Sequence, residues 1–279
     1  MAVRFRHAVV AVGAALSLTR RETVRARVHE YPLEMFGGHL LIRHKRQALL
    51  LATGSPVSVG RRTRCRFLGQ EFPLELQYNG LTTDQLSEHV GTRIDVLFGA
   101  DVLARFAVTI DAETSRVVFG DDRGLHRGRV VPVETIGGIP VVDVGLAGRA
   151  LRMLFHTGAT VSCLPGGDTR PYPCVGVARD FYPGLGEFAT ELRRVPLTFG
   201  DQAVGLICGM LPPVLARSLL LVGVHGIVGT NLLQSFKVGW APGFRELRLL
   251  VRPASAERLA APVQLRRQVL PTGEATANG

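Results

Sequence analysis

Short apolar segments of four to seven residues, separated by glycine, proline or charged residues, recur along most of the chain. Several alternate apolar and polar positions, as Val108 and Ile110 do, and this period of two is typical of half-buried strands. The 32 glycines, 16 prolines and only 6% aromatic residues favour strands joined by tight turns over long helices. The sequence therefore predicts an all-β protein. Its 279 residues, 46% of them hydrophobic, suffice for a substantial core in one large domain or two lobes.

One turn occurs twice. An apolar strand runs into X-Thr-Gly-small-X-Val-Ser at LLLATGSPVSV, residues 49–59, and again at RMLFHTGATVSC, residues 152–163. The two turns consist of Thr53, Gly54 and Ser55, and of Thr157, Gly158 and Ala159. The residue before the threonine is Ala52 in the first copy and His156 in the second.

A second repeat follows each turn. LFGADVLARFAVTIDAETSRVVF, from Leu97, aligns without gaps with IVGTNLLQSFKVGWAPGFRELRL, from Ile227. Each copy begins with two apolar residues and a glycine, Gly99 or Gly229. The residues that follow predict a short helix and then a hairpin. Asp101 and Asn231 are suited to cap these helices.

The repeats divide the chain into four predicted parts. Two lobes span residues 29–125 and 126–252, because the polar, glycine-rich segment near Leu125 marks a boundary. Residues 1–28 form an N-terminal extension, whose apolar run from Ala8 to Leu18 is either a weak signal segment or a first strand. Residues 253–279 form a polar tail without strand character.

These parts, in this order, resemble the pepsin and retropepsin family of aspartic proteases across about residues 29–252. In that family each lobe carries Asp-Thr-Gly-Ser/Ala on a turn, and a later apolar-apolar-glycine segment completes a ψ-shaped loop around it. The resemblance implies two retropepsin-like β-barrel lobes related by pseudo-twofold symmetry, with one short helix in each lobe. It also implies that Thr53 and Thr157 hydrogen-bond the opposing backbone, and that Gly99 and Gly229 are the ψ-loop glycines.

Both copies lack the residue that performs the family's chemistry. Aspartic proteolysis needs two nearby carboxylates that share a proton and act as base and acid toward one water. The methyl group of Ala52 does neither, and His156 has no acid partner there. Other carboxylates, such as Asp95, Asp101, Asp111 and Asp168, are not at the turns. We therefore expect negligible peptidase activity, and a pseudoprotease that binds an extended peptide or protein partner in the former substrate cleft, or acts as a scaffold.

Alternatives remain open at this stage. His156 fits a core residue, a reader of an acidic group, a metal ligand, or the base of a divergent hydrolase. The resemblance places flaps, the hairpins that close over substrate, at Tyr78 and Gly80 and at Tyr182 and Gly184. Ordinary hairpin turns explain these residues equally well.

Charge and cysteines add little to this picture. The net charge is +10 and is carried almost entirely by arginine. Nucleic-acid binding through Arg61–Arg66 is therefore an alternative function, although the sequence contains no nucleic-acid-binding motif. Four cysteines match neither a redox pair nor a zinc ribbon, so no metal and no cofactor is predicted. We expect buried thiols, with a Cys163–Cys174 disulfide only if the chain is exported. No transmembrane span is predicted, and a monomeric two-lobed unit is expected. The compartment is not determined, with the cytoplasm slightly favoured over export.

Overall fold

A computed structural model describes residues 28–121, 125–182 and 186–252. The predicted N-terminal extension, apart from Val28, and the predicted C-terminal tail lie outside the described residues. Within these ranges the chain is built mainly of strands, with a few short helices. The all-β prediction is confirmed.

The first lobe contains nine strands and two α-helices within its described residues. The strands are β1 (His29–Phe36), β2 (His39–His44), β3 (Gln47–Leu51), β4 (Val59–Gly60), β5 (Arg64–Phe67), β6 (Gln70–Pro73), β7 (Val96–Phe98), β8 (Ala107–Asp111) and β9 (Arg116–Gly120). The helices are α1 (Thr83–Val90) and α2 (Ala100–Leu103).

The described residues of the second lobe form ten strands. They are β10 (Arg129–Ile136), β11 (Ile139–Leu146), β12 (Arg149–Phe155), β13 (Ser162–Leu164), β14 (Cys174–Tyr182), β15 (Gly186–Phe199), β16 (Gln202–Met210), β17 (Gly226–Val228), β18 (Phe236–Trp240) and β19 (Glu246–Val251). The helices are α3 (Gly166–Thr169), α4 (Pro213–Leu221) and the 3₁₀ segments Thr230–Gln234 and Pro242–Phe244.

Each lobe contains the same three-stranded crossing. In the first lobe β7 lies between β3, to which it is parallel, and β4, to which it is antiparallel. In the second lobe β17 lies between β12 and β13 in the same two orientations. The chain thus returns to insert a strand between two earlier ones, which is the ψ-shaped loop that the resemblance implies. This arrangement holds each Thr-Gly turn at the end of a buried strand.

One antiparallel sheet joins the lobes. Its strand order is β1, β9, β8, β18, β19 and β10, and its centre is the β8–β18 pair, where Ile110 faces Val238 and Val108 faces Trp240. The Trp240 indole N–H donates a hydrogen bond to the Leu103 carbonyl at 3.2 Å. The sheet is arranged symmetrically about its central pair, in agreement with the predicted pseudo-twofold.

The largest cluster of buried apolar side chains extends through both lobes. Its largest fully buried side chains include Phe67, Phe98 and Phe119 in the first lobe and Phe236 and Trp240 in the second. Burial of apolar surface stabilises a fold by about 25 cal/mol per Å². Because this core crosses the lobe boundary, it holds the two lobes in a fixed relation.

The predicted helix after each ψ-loop glycine is present, as α2 and as the 3₁₀ segment Thr230–Gln234. The pattern did not predict helix α1 in the first lobe, nor the further helices of the second lobe, of which α4 is the longest. The capping prediction was wrong, since Gly99 and Gly229 occupy the N-cap positions. Asp101 and Asn231 lie one residue inside the first turn, where their side chains reach neighbouring serines instead.

None of the helices in the described ranges has the length and hydrophobicity needed to cross a membrane.

Candidate ligand-binding cleft

The two Thr-Gly turns meet at the centre of the molecule and are joined by reciprocal hydrogen bonds. The Thr53 hydroxyl donates to the Phe155 carbonyl at 2.6 Å, and the Thr157 hydroxyl donates to the Leu51 carbonyl at 2.9 Å. Each hydroxyl also accepts the backbone N–H of the opposing threonine at 3.0 Å. Both threonines are almost fully buried, so these bonds are shielded from water. Residues 52 and 156 therefore lie on facing turns.

The backbone of the two turns matches bond for bond. The Ala52 N–H donates to the Phe98 carbonyl and the His156 N–H to the Val228 carbonyl, both at 2.9 Å. The next bond closes each turn, from Ser55 N–H to the Ala52 carbonyl at 3.0 Å and from Ala159 N–H to the His156 carbonyl at 3.1 Å. The turn that the sequence repeats is thus one structure built twice.

A serine and an amide or carboxylate brace each turn from below. In the first lobe Asp101 accepts both the N–H and the hydroxyl of Ser58, at 3.1 and 2.7 Å, and the Ser58 hydroxyl accepts the Gly99 N–H at 2.9 Å. In the second lobe Asn231 accepts the N–H and hydroxyl of Ser162 at 3.0 and 2.8 Å.

The ψ-loop glycines are required by close backbone packing. A Cβ at Gly99 would lie 2.5 Å from the Val57 carbonyl oxygen, and one at Gly229 would lie 2.8 Å from the Val161 carbonyl oxygen. The Gly229 N–H also donates to the Ser162 hydroxyl at 3.0 Å. Any side chain at either position would separate the ψ-loop strand from the turn.

The imidazole of His156 bridges the two turns. Its Nδ1 accepts the Gly54 N–H at 3.1 Å and the Gly158 N–H at 3.0 Å, one donor from each lobe. Two N–H donors aimed at Nδ1 require a lone pair there, so a neutral ring carries its proton on Nε2. A Cβ at Gly54 would lie 2.2 Å from the ring, so the first turn needs glycine to admit the imidazole.

The cleft floor favours neutral imidazoles. Burial, and then the nearby His39, lower the pKa of His156 from 6.5 to about 4. Burial and the nearby His89 likewise lower the pKa of His39 to about 4, while a hydrogen bond with the Gly158 backbone opposes this shift. Both rings are therefore uncharged at neutral pH.

A cavity of about 270 Å³ lies above the turns. Ala52, Gly54, Ser55, His156, Gly158 and Ala159 line its floor, together with His39. Aliphatic side chains from both lobes form most of its walls: Leu50, Val59, Leu81, Leu86, Leu97, Ile136, Ile139, Leu154, Val161, Leu211, Leu215, Leu219, Val222 and Ile227. The cavity is at the lower end of the roughly 300–1,000 Å³ usual for small-ligand sites.

Both predicted flap segments reach the cavity. Tyr78 and Gly80 belong to a two-residue hairpin in which the Tyr78 and Leu81 backbones exchange hydrogen bonds. Asn79 and Gly80 both have positive φ, as this tight turn requires. On the other side Tyr182 ends β14 and lines the cavity, whereas Gly184 lies outside the described residues. Burial, and then the nearby Tyr78, raise the pKa of the Tyr182 hydroxyl. Both tyrosines line the cavity.

Sequence reasoning missed three polar residues of the cavity: His39, His89 and Asp180. The rings of His39 and His89 lie 6.0 Å apart, and His89 packs against Phe181 at 4.6 Å. Burial raises the pKa of the Asp180 carboxyl, while its bond from the Phe181 N–H and the nearby His89 partly oppose this. No local motif marks these residues, because β2, α1 and β14 bring them together from distant parts of the sequence.

Of the four cysteines, all of them within the described residues, only Cys163 lines the cavity. Cys65, Cys163 and Cys208 are buried free thiols, and Cys174 is an exposed one. Burial, and then the nearby Asp180, raise the pKa of Cys163 to about 12, which suppresses the thiolate that a nucleophile needs. In the part of the chain that is described, no three His, Cys, Asp or Glu side chains are placed to hold a metal ion.

The arginine run beyond the first turn is partly neutralised. Arg61 lies 2.6 Å from the Asp84 carboxylate and 3.6 Å from that of Asp95, and Arg64 lies 2.5 Å from Glu71. These ion pairs reduce the positive charge that the run would offer a polyanion.

This chain resembles known proteins in its structure but not in its sequence. No family model matches the chain, and no curated protein matches its sequence. Among solved structures it is similar to the aspartic proteinase from Irpex lacteus, with 13% identity and a TM-score of 0.45 over 81% of this chain and 98% of that one. It is also similar to basic 7S globulin from soybean, with 9% identity and a TM-score of 0.46 over 84% and 97% of the two chains.

Proposed function

We propose that this chain is a pseudoprotease: an aspartic-protease-like fold without peptidase activity that binds an extended peptide or protein segment in its central cleft. The observation that carries the proposal is the pair of facing turns, fully hydrogen-bonded to one another, with a methyl group and a neutral imidazole at the two positions where acids would act. The two turns face each other, and neither carries a carboxyl at these positions.

The chemistry of the cleft supports inactivity. Asp180 is the one carboxylate among the described residues that line the cavity. The pKa of His156 is shifted by burial and by His39, and no carboxylate contributes to that shift. A base without a nearby acid cannot protonate a leaving amine and activate water in one step.

The flaps support peptide binding. Tyr78 and Tyr182 approach the same cavity from opposite lobes, and each belongs to a turn or hairpin. An extended segment held beneath two hairpins gains main-chain hydrogen bonds, while alternate side chains occupy apolar pockets. The aliphatic walls favour peptides rich in leucine, valine and phenylalanine.

Peptide-library cleavage from pH 3 to pH 8 tests inactivity, and selection of random decapeptides by display tests binding. We expect no turnover and enrichment of apolar sequences. Enrichment should fall in the double variant Tyr78→Ala with Tyr182→Ala. It should persist in Leu221→Ala, a matched control on the outward face of α4, where Leu221 is 88% exposed. Robust wild-type turnover that His156→Ala abolishes would overturn the proposal.

Restoring the acids tests the cleft itself. The double variant Ala52→Asp with His156→Asp should gain acid-optimum cleavage of apolar peptides, because the facing turns already hold these positions. The matched control is Ala52→Asn with His156→Asn. Its side chains have nearly the same volume as aspartate but no carboxyl proton to share, so it should stay inactive. A folded Asp/Asp variant that neither cleaves nor binds peptides would count against a substrate-shaped cleft.

A second candidate function rests on Asp180. Its raised pKa and its position near His89 in the cavity are properties of functional carboxyls, so a divergent hydrolase would use this pair. That function predicts turnover that Asp180→Asn removes and His156→Asn leaves in place. The absence of turnover in wild type would exclude it.

A further inference from the structure

The polar groups of the cavity are unevenly charged. Three imidazoles, His39, His89 and His156, line it against the single carboxyl of Asp180. The histidines interact unfavourably when protonated, since His39 lowers the pKa of His156 and His89 lowers that of His39. A negative group placed among them would remove this repulsion.

Two ring nitrogens on the floor have no partner. Nδ1 of His39 is buried and makes no hydrogen bond. On His156, Nδ1 is occupied by the Gly54 and Gly158 N–H groups, and no described residue bonds Nε2. His156 Nε2 keeps accessible surface in the cleft. Leaving the buried His39 Nδ1 unpaired is costly, and the open His156 Nε2 on the same cavity floor can bond a ligand.

The fixed tautomer defines what His156 can recognise. With Nδ1 held as an acceptor, Nε2–H is a hydrogen-bond donor directed away from the turns. A donor on an otherwise apolar wall selects an acceptor attached to an apolar body. Ala52, opposite, brings no charge that would repel an anion.

We propose that the cavity binds an apolar monocarboxylate, whose carboxylate accepts the His156 Nε2–H and lies beside His39 while its hydrocarbon part packs on the aliphatic walls. This inference rests on the proposed function, in that a ligand occupies the former substrate cleft. The carboxylate belongs either to a free aliphatic acid or to the C-terminus of an apolar peptide, and the experiment separates these sources.

Proton uptake is the signature of this binding mode. A carboxylate beside His39 favours its imidazolium form, so ligand binding raises the pKa of His39 and draws a proton from solvent, while Nδ1 of His156 stays the acceptor of the Gly54 and Gly158 N–H groups. The other titratable groups that line the cavity are His89 from α1, Asp180 and Tyr182 from β14, Tyr78 from the first flap and Cys163 from β13. Asp180 adds to this uptake, because a neighbouring ligand anion also raises the pKa of its carboxyl.

Calorimetry with paired probes tests the proposal. The probes are octanoate against octanamide, and N-acetyl-Leu-Leu as the free acid against its C-terminal amide, at pH 5.5 and 7.5. We expect one or both acids to bind about 10- to 100-fold more tightly than the matched amide at pH 5.5, the range for a hydrogen bond to a charged group. The preferred acid identifies the source. Titration in two buffers of different ionisation enthalpy should reveal proton uptake.

Two variants locate the effect. His156→Asn keeps an acceptor near the Nδ1 position for Gly54 and Gly158 but removes Nε2, so it should reduce the acid preference to less than threefold. Ala52→Asp should weaken acid binding by charge repulsion and leave amide binding in place. Leu221→Ala should behave as wild type. If either variant fails to fold, the acid-to-amide comparison and the proton count in wild type still decide.

The outcomes separate the two proposals. Equal binding of acids and amides, without proton uptake, overturns the carboxylate proposal and leaves peptide binding standing. Binding of neither acids nor amides, together with an unenriched peptide library, overturns both.

Discussion

A single ring atom, Nδ1 of His156, serves as the common acceptor of two backbone N–H groups, those of Gly54 and Gly158. These donors come from different lobes, so the imidazole joins the two lobes at the Thr-Gly turns, a junction called the seam here, and also lines the cleft. Protonation of Nδ1 would replace two hydrogen bonds with two like-oriented donors. The neutral ring is therefore the form that the surrounding backbone requires.

The pH dependence of stability should report this requirement. The pKa of His156 is about 4 in the folded chain against 6.5 ordinarily, so the unfolded chain binds more protons between these values. Stability is then present above about pH 6.5 and is lost as pH falls toward 4. A shift of this size corresponds to on the order of 3 kcal/mol. Urea unfolding at pH 7, 6, 5 and 4.5 should show a steeper loss in wild type than in His156→Asn.

His39 and His126 keep part of the slope in that variant, because the pKa of each is also lowered to about 4. Identical slopes for wild type and His156→Asn would contradict a bridging neutral ring.

Thr53 and Thr157 supply the rest of the seam. Thr53→Val removes the hydroxyl that binds the Phe155 carbonyl and the Thr157 N–H, leaving both buried without partners. We expect a loss of about 2–5 kcal/mol in unfolding free energy, since an orphaned buried group costs about 1–3 kcal/mol. Thr53→Ser keeps the hydroxyl and should lose much less. Equal losses in the two variants would show that methyl packing, and not the hydrogen bonds, matters.

At the scale of elements, each ψ-loop is closed by a short helix whose first turn braces a serine. The two lobes use different side chains for this, Asp101 on Ser58 and Asn231 on Ser162. Asn231 also donates from Nδ2 to the Ile207 carbonyl at 2.6 Å, which links its helix to β16. The amide therefore holds one more element than the carboxylate does.

This difference predicts unequal effects of exchanging the two residues. Asn231→Asp would set a carboxylate oxygen against the Ile207 carbonyl, whereas Asp101→Asn loses one acceptor for the Ser58 N–H. We expect Asn231→Asp to cost about 2–3 kcal/mol and Asp101→Asn about 1 kcal/mol at pH 7, measured by chemical denaturation. A larger loss for Asp101→Asn than for Asn231→Asp would mean that the hydrogen bond from Asn231 to the Ile207 carbonyl contributes little to stability.

Local patterns predicted the elements that repeat, and missed those that do not. The Thr-Gly turns, both glycines and the helix after each glycine follow from matching residues in the two copies. Helix α1 escaped notice although Thr82 and Gln85 form a capping box and Gly91 ends the helix in the left-handed region. Helix α4 begins with Pro213, another available signal. His39, His89 and Asp180 could not be found, because only the fold brings their elements to one cavity.

At the scale of the whole molecule, the lobes share the central sheet and one core. Trp240 lies at this junction, fully buried, in contact with Phe155 at 6.1 Å between rings and bonded to Leu103. Because the core is continuous, neither lobe can unfold without exposing the apolar surface of the other.

We therefore predict one cooperative unfolding transition. Trp240 is the sole tryptophan, so its fluorescence reports the junction, while far-UV circular dichroism reports all strands. The two signals should change at the same urea concentration. In Gly239→Val, an added Cβ would lie 3.0 Å from the Val108 carbonyl oxygen, and the common midpoint should fall. Separate midpoints in wild type would mean that the lobes are independent.

The two hairpins that contribute Tyr78 and Tyr182 to the cavity differ in length. The first is a two-residue hairpin at Tyr78, whereas the second is the long pair of β14 and β15, nine and 14 residues in length. Only the second brings an acidic group, Asp180, over the cleft. The two turns at the bottom of the cavity are therefore nearly symmetric, whereas the two hairpins are not. If an extended ligand binds across the pseudo-dyad, as proposed, its two ends would lie beside unlike hairpins, so binding in the reversed direction would be weaker.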